Sequence, residues 1–248
     1  MKFIFTILMI SISSISFAQY EGQTIRDAIK EAMEFEEYEN AVKMYPHLFE
    51  CDLGDEKYAY YYDFAFAQFN INNFDEATNL IFKALEIEKE NLDYKWVKSS
   101  SYYLLSSISS KKGLINEKLK YLKRAVEYER DSGYLSTLGL LYLKLNKLDK
   151  ALECLNEAIE VKIDNAYAYN NRALVYIKLR EFKNAKTDIQ KSIELDNKNS
   201  YAYKNEAILY YYQNEFTLAC KSLNKAKKMG FSAVDIDTVK IEKHCGND

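Results

Sequence analysis

The chain has 248 residues and a formal net charge of −3, its 34 lysines and arginines nearly balancing 37 aspartates and glutamates. That balance excludes a strongly basic nucleic-acid binder, and seven glycines in the whole chain form no Gly-rich phosphate loop. Two histidines, and four cysteines with no C-x-x-C among them, match no common zinc or redox motif, so neither a metal nor a cofactor is expected.

Lys2 and the apolar or small run Phe3 to Phe17, ending in Ser16-Phe17-Ala18, read as a secretory signal cleaved after Ala18. Removing 18 of the 248 residues leaves 230, starting at Gln19. A retained anchor is the alternative, but the run is short for a span of about 20 residues. No cysteine follows the leader to carry a lipid, and no later apolar run is long enough to cross a bilayer. The expected location is outside the cytoplasm, periplasmic or secreted, without membrane insertion after cleavage.

Past the leader, residues 22–57 form a frayed helical pair through Tyr38, Ala41 and Tyr45, with Pro46 expected to kink or shorten the second helix. Residues 58–91 form a clearer pair, with Tyr61, Ala65, Phe74, Ala77, Ile81 and Ala84 at helical spacing. There Asn73 with Glu76 three residues on reads as a capping box. Residues 99–131 form a third pair, whose first helix is expected to start early, near Asp93.

Three blocks then stack without a gap at a period of 34: 132–165, 166–199 and 200–233. Tyr142, Tyr176 and Tyr210 share one column. Ala151, Ala185 and Ala219 share another, Ala158, Ser192 and Ala226 a third, and Gly139, Ala173 and Ala207 a fourth. Within 166–199, Tyr169, Ala173 and Tyr176 lie on one helical face and Phe182, Ala185, Ile189 and Ser192 on another, separated by a break at Leu179-Arg180-Glu181. Asn199 or Ser200 is placed to cap the next helix. Neither helix buries its apolar face alone, so successive pairs must stack. Gly230 ends the last pair, and residues 234–245 read as one more amphipathic helix covering the open end.

This pattern resembles the tetratricopeptide repeat, a 34-residue helix-turn-helix unit. The family's proline near the end of each unit is replaced by Ile163, Asn197 and Phe231. The resemblance implies an all-α fold: a right-handed α-solenoid of about six repeats with a C-terminal capping helix, forming a single array over 19–248. It also implies a concave groove, lined by the first helix of each repeat, that binds peptides or partner helices. Carried onto this sequence, that face includes Asn170, Asn171, Leu174, Ile177 and Lys178, then Lys204, Asn205, Ile208, Tyr211 and Tyr212. Asn171 and Asn205 occupy the same place, where an amide offers a peptide backbone both a donor and an acceptor. Lys178 and Lys204 could receive an acidic or C-terminal carboxylate group. Tyr62, Phe66, Phe69 and Tyr103 would continue the groove upstream.

The leader implies an oxidising compartment, where cysteines pair. Cys220 follows the alanine that faces its own repeat, so it should point toward the terminal helix, which Cys245 ends. A Cys220–Cys245 bond would pin that helix, at a gain of about 2–4 kcal/mol; two free thiols are the alternative. Cys51 and Cys154 are expected to stay unpaired. Neither His47 nor His244 sits in a catalytic set, so no enzyme is expected. The favoured reading is an exported, bacterial, non-enzymatic scaffold for a protein or peptide. The alternative is an assembly subunit of an envelope complex, docking through its convex face or through the end near Tyr38 and Tyr45. A polysaccharide-directed role rests on the 22 tyrosines alone. Oligomeric state is not legible.

Overall fold

The computed structural model describes residues 14–51, 53–87, 92–232 and 235–245. Thirteen α-helices and one 3-10 turn account for the regular structure among them, and none is a strand. Packing divides the chain into two compact units at Lys118 and Leu119. Most of the expected leader, residues 1–13, lies outside the described residues, while Ser14 to Ala18 open the first helix. No helix among the described residues is long and apolar enough to cross a membrane.

The N-terminal unit contains α1 (Ser14–Glu34), α2 (Tyr38–Phe49), a 3-10 turn (Gly54–Glu56), α3 (Lys57–Asn70), α4 (Phe74–Glu86) and α5 (Leu92–Lys111). Pro46 lies inside α2, which runs only to Phe49 beyond it. A proline removes one backbone hydrogen bond and its ring crowds the carbonyl four residues earlier, and α2 ends within one turn of it. Tyr45 does not face out for docking. It is 1% exposed and stacks on Phe64 at 4.7 Å, beside a Phe49–Tyr61 stack at 4.6 Å. Asn73 precedes α4 but makes no capping bond; its amide donates to Gln68 Oε1 at 3.0 Å. α5 starts at Leu92, and its Tyr94 is buried, donating its hydroxyl to the Leu85 carbonyl at 3.1 Å.

The C-terminal unit holds most of α6 (Ile115–Tyr128), then α7 (Ser132–Lys144), α8 (Leu148–Val161), α9 (Ala166–Lys178), α10 (Phe182–Leu195), α11 (Ser200–Tyr212), α12 (Phe216–Lys228) and α13 (Ile236–Cys245). Asp131, Asn165 and Asn199 cap α7, α9 and α11 through their side-chain oxygens. The turns inside these three pairs close the same way. Asn146, Arg180 and Asn214 adopt left-handed φ angles of 57°, 63° and 64°. The next backbone N–H then reaches back to the carbonyl of Tyr142, Tyr176 or Tyr210 at 2.9 Å, satisfying a helix-end acceptor. Gly230 takes the same left-handed role after α12, with φ 90°.

The small columns explain how close the paired helices come. Ala151, Ala158, Ala173, Ala185, Ala207, Ala219 and Ala226 are all fully buried. A Cβ on Gly139 would lie 2.6 Å from Leu155 Cγ, and Leu155 is itself fully buried. Arg172 ties three helices together. Its guanidinium donates to both oxygens of the buried Asp188 on α10 (2.7 and 2.8 Å) and to Asn156 on α8 (2.8 Å). Replacing one partner of such a pair would strand a charge in the interior.

Cys220 and Cys245 form a disulfide with Cα atoms 5.6 Å apart, joining α12 to α13; Cys51 and Cys154 are free. Burial, with Glu153 and Glu157 beside it, pushes the Cys154 thiol up to about 11, so it stays protonated at neutral pH. The expected terminal helix begins at Ile236, with Val234 outside the described residues.

This packing has two measurable consequences. Gly139→Ala gains roughly 1 kcal/mol of helix propensity but overpacks Leu155 at a cost of about 1–3 kcal/mol. A net loss of about 1 kcal/mol is expected in urea unfolding, opposite in sign to propensity alone. In the N-terminal unit Asp63 is partly buried, and that burial pushes its carboxyl from 3.8 to about 6. Between those values the folded state holds a proton that the unfolded state has released. Stability must then fall as pH rises from about 4 to about 6, by up to about 3 kcal/mol. Asp63→Asn should abolish that slope and raise stability at pH 7; an unchanged pH profile would contradict it.

Candidate functional site

The first helices of the C-terminal unit's successive pairs, α7, α9 and α11, line a groove of about 750 Å³. That size lies within the range of ligand sites. Its apolar strip repeats at the 34-residue period as Leu140, Leu174 and Ile208, flanked by Leu143 and Ile177. Lys144 and Lys178, also one period apart, are exposed on its wall, and among the described residues no ion pair engages either. Arg180 stands over the Tyr212 ring at 5.1 Å.

The asparagines have a job before any ligand arrives. Asn171 donates its amide to Ser136 Oγ at 3.2 Å, and Asn205 donates to Asn170 through both its backbone oxygen (3.0 Å) and its Oδ1 (2.6 Å). Each bond runs from one first helix to the preceding one, 35 residues earlier. Asn165 Nδ2 adds another, to Ser132 Oγ at 2.7 Å. Asn205 is 0% exposed, and its Oδ1 has no hydrogen-bond partner. With its N–H groups committed, Asn205 has only acceptor capacity left.

Lys204 occupies the place that Ser136 and Asn170 hold in the two preceding repeats. It is 8% exposed, and its Nζ lies 3.4 Å from Asp235 Oδ2. Asp235 also caps α13. Its Oδ1 accepts from the Thr238 N–H at 2.9 Å, while its own N–H donates to Thr238 Oγ1 at 3.0 Å. Burial raises the Asp235 carboxyl, but the Thr238 N–H and the Lys204 ammonium outweigh it and hold the pKa below the usual value. Tyr212 donates its hydroxyl to Asp237 Oδ1 at 3.1 Å; burial and that carboxylate push the phenol up, keeping it a donor.

Asn170, Asn171, Lys178, Lys204 and Asn205 therefore converge on one groove. Tyr211 packs instead against Phe216 and His244. Tyr62 and Tyr103 belong to the N-terminal unit, on α3 and α5, where Tyr62 meets Trp96 edge-on at 5.5 Å. Lys144 and Leu140 escaped the sequence reading although each stands one period before a residue that did not. Asp235 and Asp237 lie beyond the last repeat, where no column could flag them.

Comparison with known proteins agrees with this architecture. The model of a family described as TPR repeat matches residues 139–179, and one described as Tetratricopeptide repeat matches 99–132 and 166–199. No curated protein matches the sequence. Among solved structures, TTC0263, a thermophilic TPR protein of Thermus thermophilus, is 21% identical with a TM-score of 0.57, over 76% of this chain and 98% of that one. YrrB, described as a TPR protein with an unusual peptide-binding site, is 22% identical with a TM-score of 0.55, over 77% and 96%. A chain of the APC/C hetero-tetramer Cut9-Hcn1 reaches a TM-score of 0.70 at 14% identity, over 94% of this chain and 46% of its own. At these identities the shared property is the fold. The 34-residue period, the fully buried alanine columns, the repeated left-handed turns and the matched segments together show tetratricopeptide repeats in residues 99–132 and 139–199 of this chain.

Proposed function

We propose that this chain is a non-enzymatic scaffold that holds an extended, acidic peptide segment of a partner protein along α7, α9 and α11. The observation that carries this reading is the apolar strip Leu140–Leu174–Ile208, in which Leu140 and Leu174 are partly exposed and Ile208 is buried, beside two exposed lysines free of ion pairs among the described residues. An extended peptide places alternate side chains on opposite sides, so one set can cover the strip while the other meets Lys144 and Lys178. The description of YrrB, which shares the fold, includes a peptide-binding site. The scaffold acts outside the cytoplasm of a bacterial cell after cleavage behind Ala18, as the charged start and apolar run of residues 2–17 support. Intact mass of the purified protein tests that cleavage.

The groove is tested with two blocked, fluorescent hexapeptides, one alternating leucine with aspartate and one alternating leucine with lysine. The aspartate probe should bind and the lysine probe should not. Lys144→Glu with Lys178→Glu should weaken the aspartate probe at least about tenfold without moving the melting temperature, because both side chains are exposed and such surface changes are nearly neutral for stability. Asn205→Ala should lower both affinity and stability, since it strips two hydrogen bonds from Asn170, at a cost of about 1–3 kcal/mol. Equal binding of both probes, or binding indifferent to the lysine changes, would refute the groove.

A further inference from the structure

Asp235 stands where a ligand's acid would stand. Lys204 is a deeply placed cation of the groove, and the carboxylate it meets comes from the protein's own terminal segment. Further along the groove, Tyr212 meets Asp237 of that segment. The far end of α13 is fastened separately, by the Cys220–Cys245 disulfide and by a 2.5 Å Lys227–Glu242 ion pair. Between these fastenings Ile241 is fully buried and Thr238 nearly so, while Lys240, Glu242, Lys243 and His244 are exposed. A helix of 10 residues is too short to be stable in isolation, so α13 keeps its shape and its place only while docked.

We propose that the segment Asp235–Cys245 is an internal competitor for the groove, with Asp235 holding the Lys204 ammonium against an incoming acidic side chain and the Cys220–Cys245 bond latching the competitor in place. The proposal rests on the groove reading and adds its regulation. With the latch closed, a ligand engages Lys144 and Lys178 and leaves Lys204 alone. A dithiol reductant opens the latch by exchange: the Cys220–Cys245 bond breaks, both sulfurs become thiols, and the reductant leaves as its own disulfide. α13 then detaches more often, and Lys204 joins the two exposed lysines as a third cation for the ligand. Both cysteines are partly exposed, as exchange requires.

The test has one readout that needs no ligand and one that does. Lysine acetylation by a water-soluble active ester, mapped by mass spectrometry, reports Lys204 with Lys144 and Lys178 as exposed references. The variants are Asp235→Asn, which removes the charge but keeps a good N-cap, and Cys220→Ser with Cys245→Ser. In the oxidised wild type Lys204 should label at least about fivefold more slowly than Lys178, as its burial and ion pair demand. It should label at least about threefold faster than wild type in either variant and after dithiol treatment. The leucine–aspartate probe should bind at least about threefold more tightly under the same conditions. Protected Lys204 in every variant, with wild-type probe affinity, overturns the latch and leaves the groove reading standing. Released Lys204 with no probe bound by any form supports the latch and sinks the groove reading.

Discussion

The repeats of the C-terminal unit depend on how closely the two helices of a pair approach. At Gly139, Ala173 and Ala207 the first helix presents little more than backbone, and Leu155 fills the space that a Cβ at 139 would need. Two consequences follow. The pair becomes a flat unit with apolar faces on both sides, which only another pair can cover. The turn between helices must also be short, which forces a left-handed residue at 146, 180 and 214 and returns the chain onto the tyrosine carbonyl that closes each first helix. Period, turn geometry and the stacking of pairs all follow from that contact.

Stacking alone would leave neighbouring first helices free to slide, since apolar contact is non-directional. The amide ladder supplies direction. Asn171 to Ser136 and Asn205 to Asn170 fix each first helix against the one before it, and Arg172 does the same between second and first helices by reaching Asn156 and Asp188. A hydrogen bond of this kind adds only about 1 kcal/mol, but it has one correct register. The groove is thus held in register by residues that also line it, and a substitution there changes shape and chemistry together.

How much of this was legible depends on whether a residue's role is set by its column or by its neighbours. The alanine and tyrosine columns were readable because the 34-residue period repeats them in the three C-terminal pairs, and the early start of α5 followed from Tyr94-Lys95-Trp96 ahead of its repeat. The direction of an asparagine amide was not readable. Sequence gives Asn205 a donor and an acceptor, and only the packing of α9 against α11 decides that both N–H groups go to Asn170. The break at Leu179-Arg180-Glu181 was readable, but not that Arg180 would take the left-handed place held by Asn146 and Asn214 in the neighbouring pairs, with its guanidinium over Tyr212. Tyr45 looked available for docking because its repeat is frayed, yet the Phe64 and Phe49 rings enclose it.

The end of the array shows why the ladder terminates in a charge. In each inner repeat the residue at this place, Ser136 or Asn170, receives an amide from the repeat that follows. Behind Lys204 the next element is the single helix α13 rather than a further pair, and the left-handed stop at Gly230 turns the chain back over α11 and α12. An ammonium has three donors and no acceptor, so what meets it must be an acceptor, and near-complete burial favours one that carries charge. Asp235 satisfies that demand with one oxygen while its other oxygen starts α13, so the same carboxylate ends the ladder and begins the cap. A pairing that arises from covering the last repeat also places an acid in the groove, which makes the cap part of the site it closes.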